Sequence, residues 1–183
     1  NIMTSHFKND GDAILLISGN YKSDGNEISI GSSEYYRLNN YEPEGDAPDI
    51  DINEERKVQK LILELIGRKL IKSAHDISDG GLAVALAECC IMNRDNPVGC
   101  DIEIEFKTRK DFELFSETQS SFIVSADEAN THTVSKIALE NGLHCKRLGV
   151  VTGKKFRINK EIDLEIGELT AAYFSSIDNL LSE

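Results

Sequence analysis

Two spacings of apolar residues alternate along the chain, and each predicts a different kind of element. A continuous apolar run over Ala13–Ile17 has the length of a strand that is covered on both faces. Cys100–Phe106 alternates apolar and polar residues, which predicts a half-buried strand near a sheet edge. Phe122–Val124 predicts a central strand, and Lys146–Val151 and Lys155–Ile158 predict two strands around a glycine turn.

The spacing typical of helices occurs in the segments between these strands. The longest stripe follows Asp51, a residue suited to cap a helix, and its inward positions are Val58, Leu61, Ile62, Leu65 and Ile66. Further helices are predicted for Gly31–Leu38 with Ser32 or Ser33 as cap, from Asp127 or Asn130 to a C′ glycine at Gly142, and for Ile166–Leu181. Tyr41–Ile50, with two prolines and four acids, predicts an extended surface connection.

Strands interleaved with helices predict an α/β fold in which a mixed β-sheet is flanked by helices. The length of 183 residues is enough for a sizeable core, and we expect residues 1–183 to form a single domain. No internal repeat or low-complexity tract interrupts this pattern.

The stretch Ile71–Ile91 holds the strongest candidate for a functional site. It consists of an extended piece, a polar turn from His75 to Gly81, and a helix of small apolar residues from about Leu82. Ser78 and Asp79 are suitable N-cap residues, and the pair Gly80-Gly81 lets backbone approach a neighbour or a ligand closely. Backbone amides at such a helix start are able to hold an anion.

A second interpretation of this turn is purely structural, because many α/β proteins cap a buried helix with a glycine-rich turn that binds nothing. The carboxylates of Asp76 and Asp79 repel a bare phosphate and suit one only with Mg²⁺ between them. His75 in such a turn is more often a hydrogen-bonded structural residue than a ligand or base. The polar run Ser116–Ser121, just before a buried strand, offers the same two interpretations: a site at a strand end, or a loop that satisfies its own backbone.

Composition and charge narrow the class of protein. A net charge of −12 disfavours a nucleic-acid or anionic-membrane partner, and no apolar run reaches the length of a transmembrane helix. The N-terminus lacks the apolar core of a signal peptide. The four cysteines have no zinc-site spacing and are expected to be reduced core thiols of a cytoplasmic protein; they are Cys89, Cys90, Cys100 and Cys145.

Five segments, in order along the chain, resemble the C-terminal domain of the AIR synthetase-type ATP-dependent enzymes. They are TSHFKNDGDAILLI, IGSSEYY, IGRKLIKSAHDISDGGLAVALAE, LFSETQSSFIVS and HCKRLGVVTG. Within that superfamily the segments are most similar to the phosphoribosylformylglycinamidine synthases, whose large synthetase contains two copies of a domain pair. SAHDISDGGLAVALAE looks like the copy from the second half. The sequence departs from the family at Ser32, where glycine is more common, and at Thr118, where serine is usual.

The resemblance implies roles for particular residues by analogy with the first copy. Asp76 matches a Mg²⁺ ligand near ATP, and Glu117, Thr118 and Gln119 match a tripeptide that contacts the ribonucleotide substrate. The turn Ser78, Asp79, Gly80 and Gly81 is then a phosphate- or nucleotide-binding segment. In a copy from the second half, the resemblance allows two roles for these positions: an auxiliary, non-catalytic nucleotide site, or a structural role alone.

The parent enzyme implied by the resemblance converts formylglycinamide ribonucleotide to formylglycinamidine ribonucleotide with ATP, Mg²⁺ and ammonia from glutamine, a step of purine biosynthesis. Its partners are the remaining synthetase domains, a glutaminase domain or subunit and a small accessory subunit. The chain carries no SHNHP-type motif, where the family keeps its catalytic histidine, so we expect a fragment of a longer enzyme that is inactive alone. The alternatives are a domain of another member, such as aminoimidazole ribonucleotide synthetase, and a non-catalytic interaction domain.

Overall fold

A computed structural model describes residues 2–19, 30–40 and 50–181, so most of the predicted connection over 41–50 lies outside it. The strands are β1 Ala13–Ser18, β2 Ser73–Asp76, β3 Cys100–Ile102, β4 Ser121–Ala126, β5 His144–Val151, β6 Lys155–Ile158 and β7 Ile162–Glu165. The helices are α1 Glu34–Asn40, α2 Ile52–Gly67, α3 Gly81–Ile91, α4 Lys110–Phe115, α5 Thr131–Glu140 and α6 Ile166–Leu181, and a 3₁₀ turn, Glu128–Asn130, precedes α5.

The strands form one mixed sheet in the order β2-β4-β1-β5-β3-β6-β7. Strand β1 runs antiparallel to both neighbours, β4 and β5, and is buried along nearly its whole length. The pair β3–β6 is parallel, whereas the other described pairs are antiparallel. The predicted α/β class with a mixed sheet is therefore confirmed.

Helices cover both faces of the sheet because successive strand side chains point to opposite sides. On β1, Ile14 packs with α3 and α6, whereas Leu15 and Ile17 pack with α2 and α5. On β4, Ile123 and Val124 divide between the two cores in the same way. The continuous apolar runs are thus read correctly as strands buried on both faces.

The predicted helix signals operate largely as expected. The Asp51 carboxylate accepts from the backbone N–H groups of Asn53 (2.8 Å) and Glu54 (3.3 Å) at the start of α2. Helix α5 ends at Glu140, and Gly142 follows at the C′ position with φ +69°; the Leu143 N–H donates back to the Ala138 carbonyl (2.9 Å) in a Schellman motif.

The predicted edge position of the strand over Cys100–Phe106 is wrong. Strand β3 is not near an edge: it is only three residues long and lies between β5 and β6. Consequently β5 and β6 do not pair around their glycine turn, since β3 is inserted between them. Strand β7, which pairs with β6 and forms the far edge, is an element that the sequence pattern does not predict.

An ion-paired lysine joins the start of β2 to two other strands. The Lys72 ammonium lies 2.6 Å from the carboxylate of Asp12, which is only 3% exposed, and 2.5 Å from that of Asp127. Asp12 immediately precedes β1 and Asp127 immediately follows β4. These contacts raise the pKa of Lys72 against the opposing effect of its partial burial.

The four cysteines are free thiols, as expected, and three of them lie in one core cluster, two on α3 and one on β3. Burial raises the pKa of Cys89 well above its ordinary value, and a contact with Cys100 together with burial does so for Cys90. Cys145 is half-buried, and burial also raises its pKa. Within the described part of the chain, no helix is both long and apolar enough to cross a membrane.

Candidate functional site

The predicted turn lies at one edge of the sheet, where three chain segments converge. Strand β2 is the edge strand, and its C-terminal end lies beside the N-terminal end of its antiparallel partner β4. The Ile77 N–H donates to the Ser121 carbonyl (3.0 Å), which brings the turn after β2 next to the loop before β4. The sheet thus places Asp76, the glycine pair and Glu117–Gln119 at a common edge.

His75 and Asp76 are strand residues rather than turn residues, which corrects the predicted boundary. The Nδ1–H of His75 donates to the Asp76 carbonyl (2.6 Å), and its Nε2 lies 3.1 Å from a carboxylate oxygen of Glu88 on α3. This ring therefore joins the sheet to α3, as in the structural interpretation of His75. Nothing in the sequence pattern pointed to Glu88, because the contact depends on how α3 packs against β2.

The start of α3 differs from the predicted cap. The N-cap residue is Gly80, with φ +78°, and neither Ser78 nor Asp79 supplies a side-chain cap. The Gly81 N–H donates to the Ser78 carbonyl (3.0 Å), which closes the turn. Ser78 and Asp79 are exposed, so their polar side chains face solvent at the sheet edge.

Glycine is required at position 81 for a conformational and a steric reason, and the sequence predicted only that a neighbour or ligand comes close. Its φ is +70°, a conformation that side chains disfavour. A Cβ at this position would lie 2.7 Å from the Phe115 carbonyl carbon and 2.7 Å from the Ser116 oxygen. The close approach that the glycine pair predicts is therefore an approach to the protein's own backbone, between α4 and β4.

Glu117 supplies the side chain that contacts the turn. Its Oε1 accepts from the Gly80 N–H at 2.8 Å and from the Glu34 N–H at 2.9 Å. Glu34 is the first residue of α1, so a single carboxylate oxygen joins the start of α1 to the residue that caps α3. A carboxylate is well placed there, because the amides at a helix start carry partial positive charge.

The rest of the Ser116–Ser121 loop is also internally bonded. Ser116 Oγ and Thr118 Oγ1 lie 2.6 Å apart, and Ser120 Oγ donates to the Glu55 carboxylate (2.7 Å) on α2. Gln119 is exposed, and its amide nitrogen lies 3.3 Å from the Glu117 carbonyl. The three residues with an implied substrate role thus lie at the same sheet edge as the turn, and among them only Gln119 is exposed.

Helix α1 packs on the same loop. Ser33, one of the two predicted caps, accepts from the Tyr36 N–H (3.2 Å) through its hydroxyl oxygen. The Tyr35 ring stacks on Phe115 with 4.5 Å between centroids and 3° between planes. The Tyr35 ring therefore packs against the protein's own loop.

A divalent cation at this edge would rely on few protein ligands. Asp76, the residue implied as a Mg²⁺ ligand, has a side chain that is 64% exposed. Among the residues that the structure describes, no three acidic, histidine or cysteine side chains form a cluster able to hold a metal ion. Mg²⁺ is commonly held by one or two carboxylates with phosphate oxygens and water completing its shell, so Asp76 fits a metal that arrives with a nucleotide.

The basic residues near the C-terminal strands lie at the opposite end of the sheet. Lys155 is paired with Asp163 and Glu165, and Arg157 lies near Asp101 and Asp163. These ion pairs are exposed to solvent and form a charged face at that end of the sheet.

Comparisons with known proteins agree with the motifs. The family model described as AIR synthase related protein, C-terminal domain, matches residues 9–160. The phosphoribosylformylglycinamidine synthase subunit PurL of Chlorobaculum tepidum is 34% identical over 189 residues, an alignment that covers 99% of this chain and 24% of that protein. The chain therefore spans about a quarter of the length of that relative.

Solved structures show the same fold. Thermotoga maritima PurL complexed with FGAR has a TM-score of 0.73 and 17% identity, covering 92% of this chain and 29% of that one. The same protein complexed with ATP has a TM-score of 0.68 and 15% identity, with coverage of 92% and 27%. Since the family model covers most of the sequence and the fold agrees, this chain belongs to the AIR synthase related protein C-terminal domain family.

Proposed function

We propose that residues 1–183 are the second C-terminal domain of a phosphoribosylformylglycinamidine synthase. The complete cytoplasmic enzyme would convert formylglycinamide ribonucleotide, ATP and glutamine-derived ammonia to formylglycinamidine ribonucleotide in purine biosynthesis. Two observations support this assignment: the 34% identity to a PurL subunit over nearly the whole chain, and the SETQ segment, which resembles a motif of this branch with threonine in place of the usual serine. The same segment disfavours aminoimidazole ribonucleotide synthetase.

In that enzyme the domain would contribute one wall of a cleft between domains. The observation that carries this proposal is the convergence of Asp76, the turn Ser78–Gly81 and the loop Glu117–Gln119 at the exposed end of β2. The first turn of α3 would direct backbone amides toward a nucleotide phosphate, and Asp76 would hold Mg²⁺, which neutralises phosphate charge when bound. Thr118 and Gln119 would lie beside the ligand.

A second candidate is a non-catalytic domain in which this edge only completes the packing of the synthetase. It is favoured by the internal bonding of the turn: the Gly80 N–H is bonded to Glu117 and the Gly81 N–H to Ser78. Those two amides are therefore not directed at a ligand, and phosphate binding would depend on amides deeper in the first turn of α3.

Asp76→Asn in the complete synthetase separates the two candidates, because it removes the carboxylate charge and keeps the side-chain shape. Nucleotide binding would be measured by titration calorimetry with and without Mg²⁺. The nucleotide role predicts weaker Mg²⁺-dependent binding at this domain. Asp95→Asn is the matched control, since Asp95 is also an exposed aspartate and lies beyond the other end of α3. Unchanged stoichiometry and affinity in the Asp76 variant would leave the structural candidate.

The proposed partners are the remaining domains of the synthetase, a glutaminase domain or subunit and a small accessory subunit. Because the SHNHP-type motif is absent, the 183-residue chain should not turn over formylglycinamide ribonucleotide or hydrolyse ATP. A coupled assay for ADP release with the purified chain tests this expectation, and ribonucleotide turnover would contradict it.

A further inference from the structure

The contact made by Glu117 links three segments that are far apart in sequence. One carboxylate oxygen accepts from the N–H of Glu34 and from the N–H of Gly80, which are 83 and 37 residues away. Each amide belongs to the start of a helix: Glu34 is the first residue of α1, and Gly80 caps α3. The loop carrying Glu117 thus lies between two helix starts.

Helix-start electrostatics explain why a carboxylate occupies this position. The N–H groups at a helix start lack intrahelical partners and favour negative charge. Neither Ser78 nor Asp79 contributes a side-chain cap to α3. Glu117 therefore supplies, from another segment, the acceptor that the local sequence does not provide.

The packing around Glu117 holds the same segments together. A Cβ at Gly81 would lie 2.7 Å from backbone atoms of Phe115 and Ser116, so the loop lies close to the first residue of α3. On the loop's other side, the Tyr35 ring stacks on Phe115, and Ser33, which is buried, caps α1. These apolar and backbone contacts fix the distances between segments, and the carboxylate fixes the orientation of the two amides.

We propose that Glu117 is a positioning residue that fastens the segment Ile30–Asn40 onto the start of α3, and that this oxygen is not a ligand for substrate. Only the purpose of this positioning rests on the proposed function. In the complete enzyme, Glu117 would set the shape of the cleft wall formed by α1, the turn Ser78–Gly81 and the loop. This positioning role replaces the role implied by resemblance for Glu117 and leaves the proposed roles of Asp76, Thr118 and Gln119 as they stand.

Hydrogen exchange of the 183-residue chain, followed by mass spectrometry, tests the inference. In Glu117→Ala we expect the backbone amides of Glu34 and Gly80 both to exchange about tenfold faster, or more, than in the unaltered protein, because both lose their acceptor. Glu117→Gln keeps a carbonyl oxygen of similar reach and should restore most of the protection. Restoration by glutamine identifies the role as hydrogen-bond acceptance.

Glu113→Ala is the matched control, because the Glu113 carboxylate also accepts from two backbone amides, those of Lys107 and Thr108, both at 2.6 Å. It should release its own loop and leave the exchange at Glu34 and Gly80 unchanged. Unaltered exchange at those two amides in Glu117→Ala, or a Gln variant as unprotected as the Ala variant, would overturn the inference. The outcome is independent of nucleotide binding, so a failure of Asp76→Asn to weaken nucleotide binding would refute only the proposed function.

Discussion

Replacing Gly81 by alanine should destabilise the protein through two separable costs. The first is conformational: φ is +70°, and an L-residue in the left-handed region costs about 1–2 kcal/mol. The second is steric, since the new Cβ would lie 2.7 Å from backbone atoms of Phe115 and Ser116, which cannot rotate away as a side-chain tip would. Overpacking of this kind typically costs about 1–3 kcal/mol, so we expect a total of about 2–5 kcal/mol.

Gly142→Ala isolates the conformational cost. Gly142 has nearly the same φ, +69°, but a Cβ there would meet no atom within 4 Å. We therefore expect Gly142→Ala to lose only about 1–2 kcal/mol. The difference between the two variants measures the steric contact between α3 and the loop before β4.

Urea unfolding followed by circular dichroism gives the free energy of unfolding of both variants. In a domain of this size, each kcal/mol also lowers Tm by roughly 2–4 °C. If Gly81→Ala is no more destabilising than Gly142→Ala, the loop does not press against the start of α3, and the explanation of the glycine pair is wrong. A loss in Gly81→Ala that exceeds the control by about 1–3 kcal/mol supports it.

Four further predictions concern the core, its charges and its thiols. Ala87→Glu should lower the free energy of unfolding in urea by about 1–3 kcal/mol, because Ala87 packs against the core cluster that contains α3. The control Ala172→Glu, at an exposed position of α6, should lower it by less than about 0.5 kcal/mol. Lys72→Met should lower the free energy of unfolding by about 2–4 kcal/mol, because it leaves the buried Asp12 carboxylate without its cation. If this is the cause, adding Asp12→Asn to the Lys72 variant should restore stability, whereas additive losses would contradict it. In the native protein, Ellman's reagent should react with Cys145 alone, and slowly, whereas in denaturant it should react with all four thiols. Reaction of the other three thiols in the native protein would contradict their burial. Because burial raises the thiol pKa in the folded state, the folded protein keeps protons that the unfolded chain releases, so stability should fall as pH rises above about 8.5, and a flat profile would argue against this.

Local patterns in the sequence determine most of the elements. The strand β1 and the helix α2 are set by apolar runs and by the Asp51 cap, which depend only on neighbouring residues. The termination of α5 by the C′ residue Gly142 follows for the same reason, since a Schellman motif is built within one stretch of chain. The sequence also places one polar run after β2 and another before β4, each at a strand end. Their convergence at one sheet edge depends on the antiparallel pairing of these two strands.

The tertiary structure alone decides which strands pair and what contacts the glycine pair. The position of β3 between β5 and β6 depends on contacts between residues far apart in sequence. The alternation of apolar and polar residues along β3 indicates only that one of its faces is buried. The cap of α3 is likewise invisible locally: Ser78 and Asp79 are good cap residues by type, yet the bond comes from Glu117, 37 residues away. The sequence shows that the backbone N–H groups at the start of α3 need an acceptor. Packing decides which residue supplies it, because the close backbone approach at Gly81 brings Glu117 within hydrogen-bonding distance of Gly80.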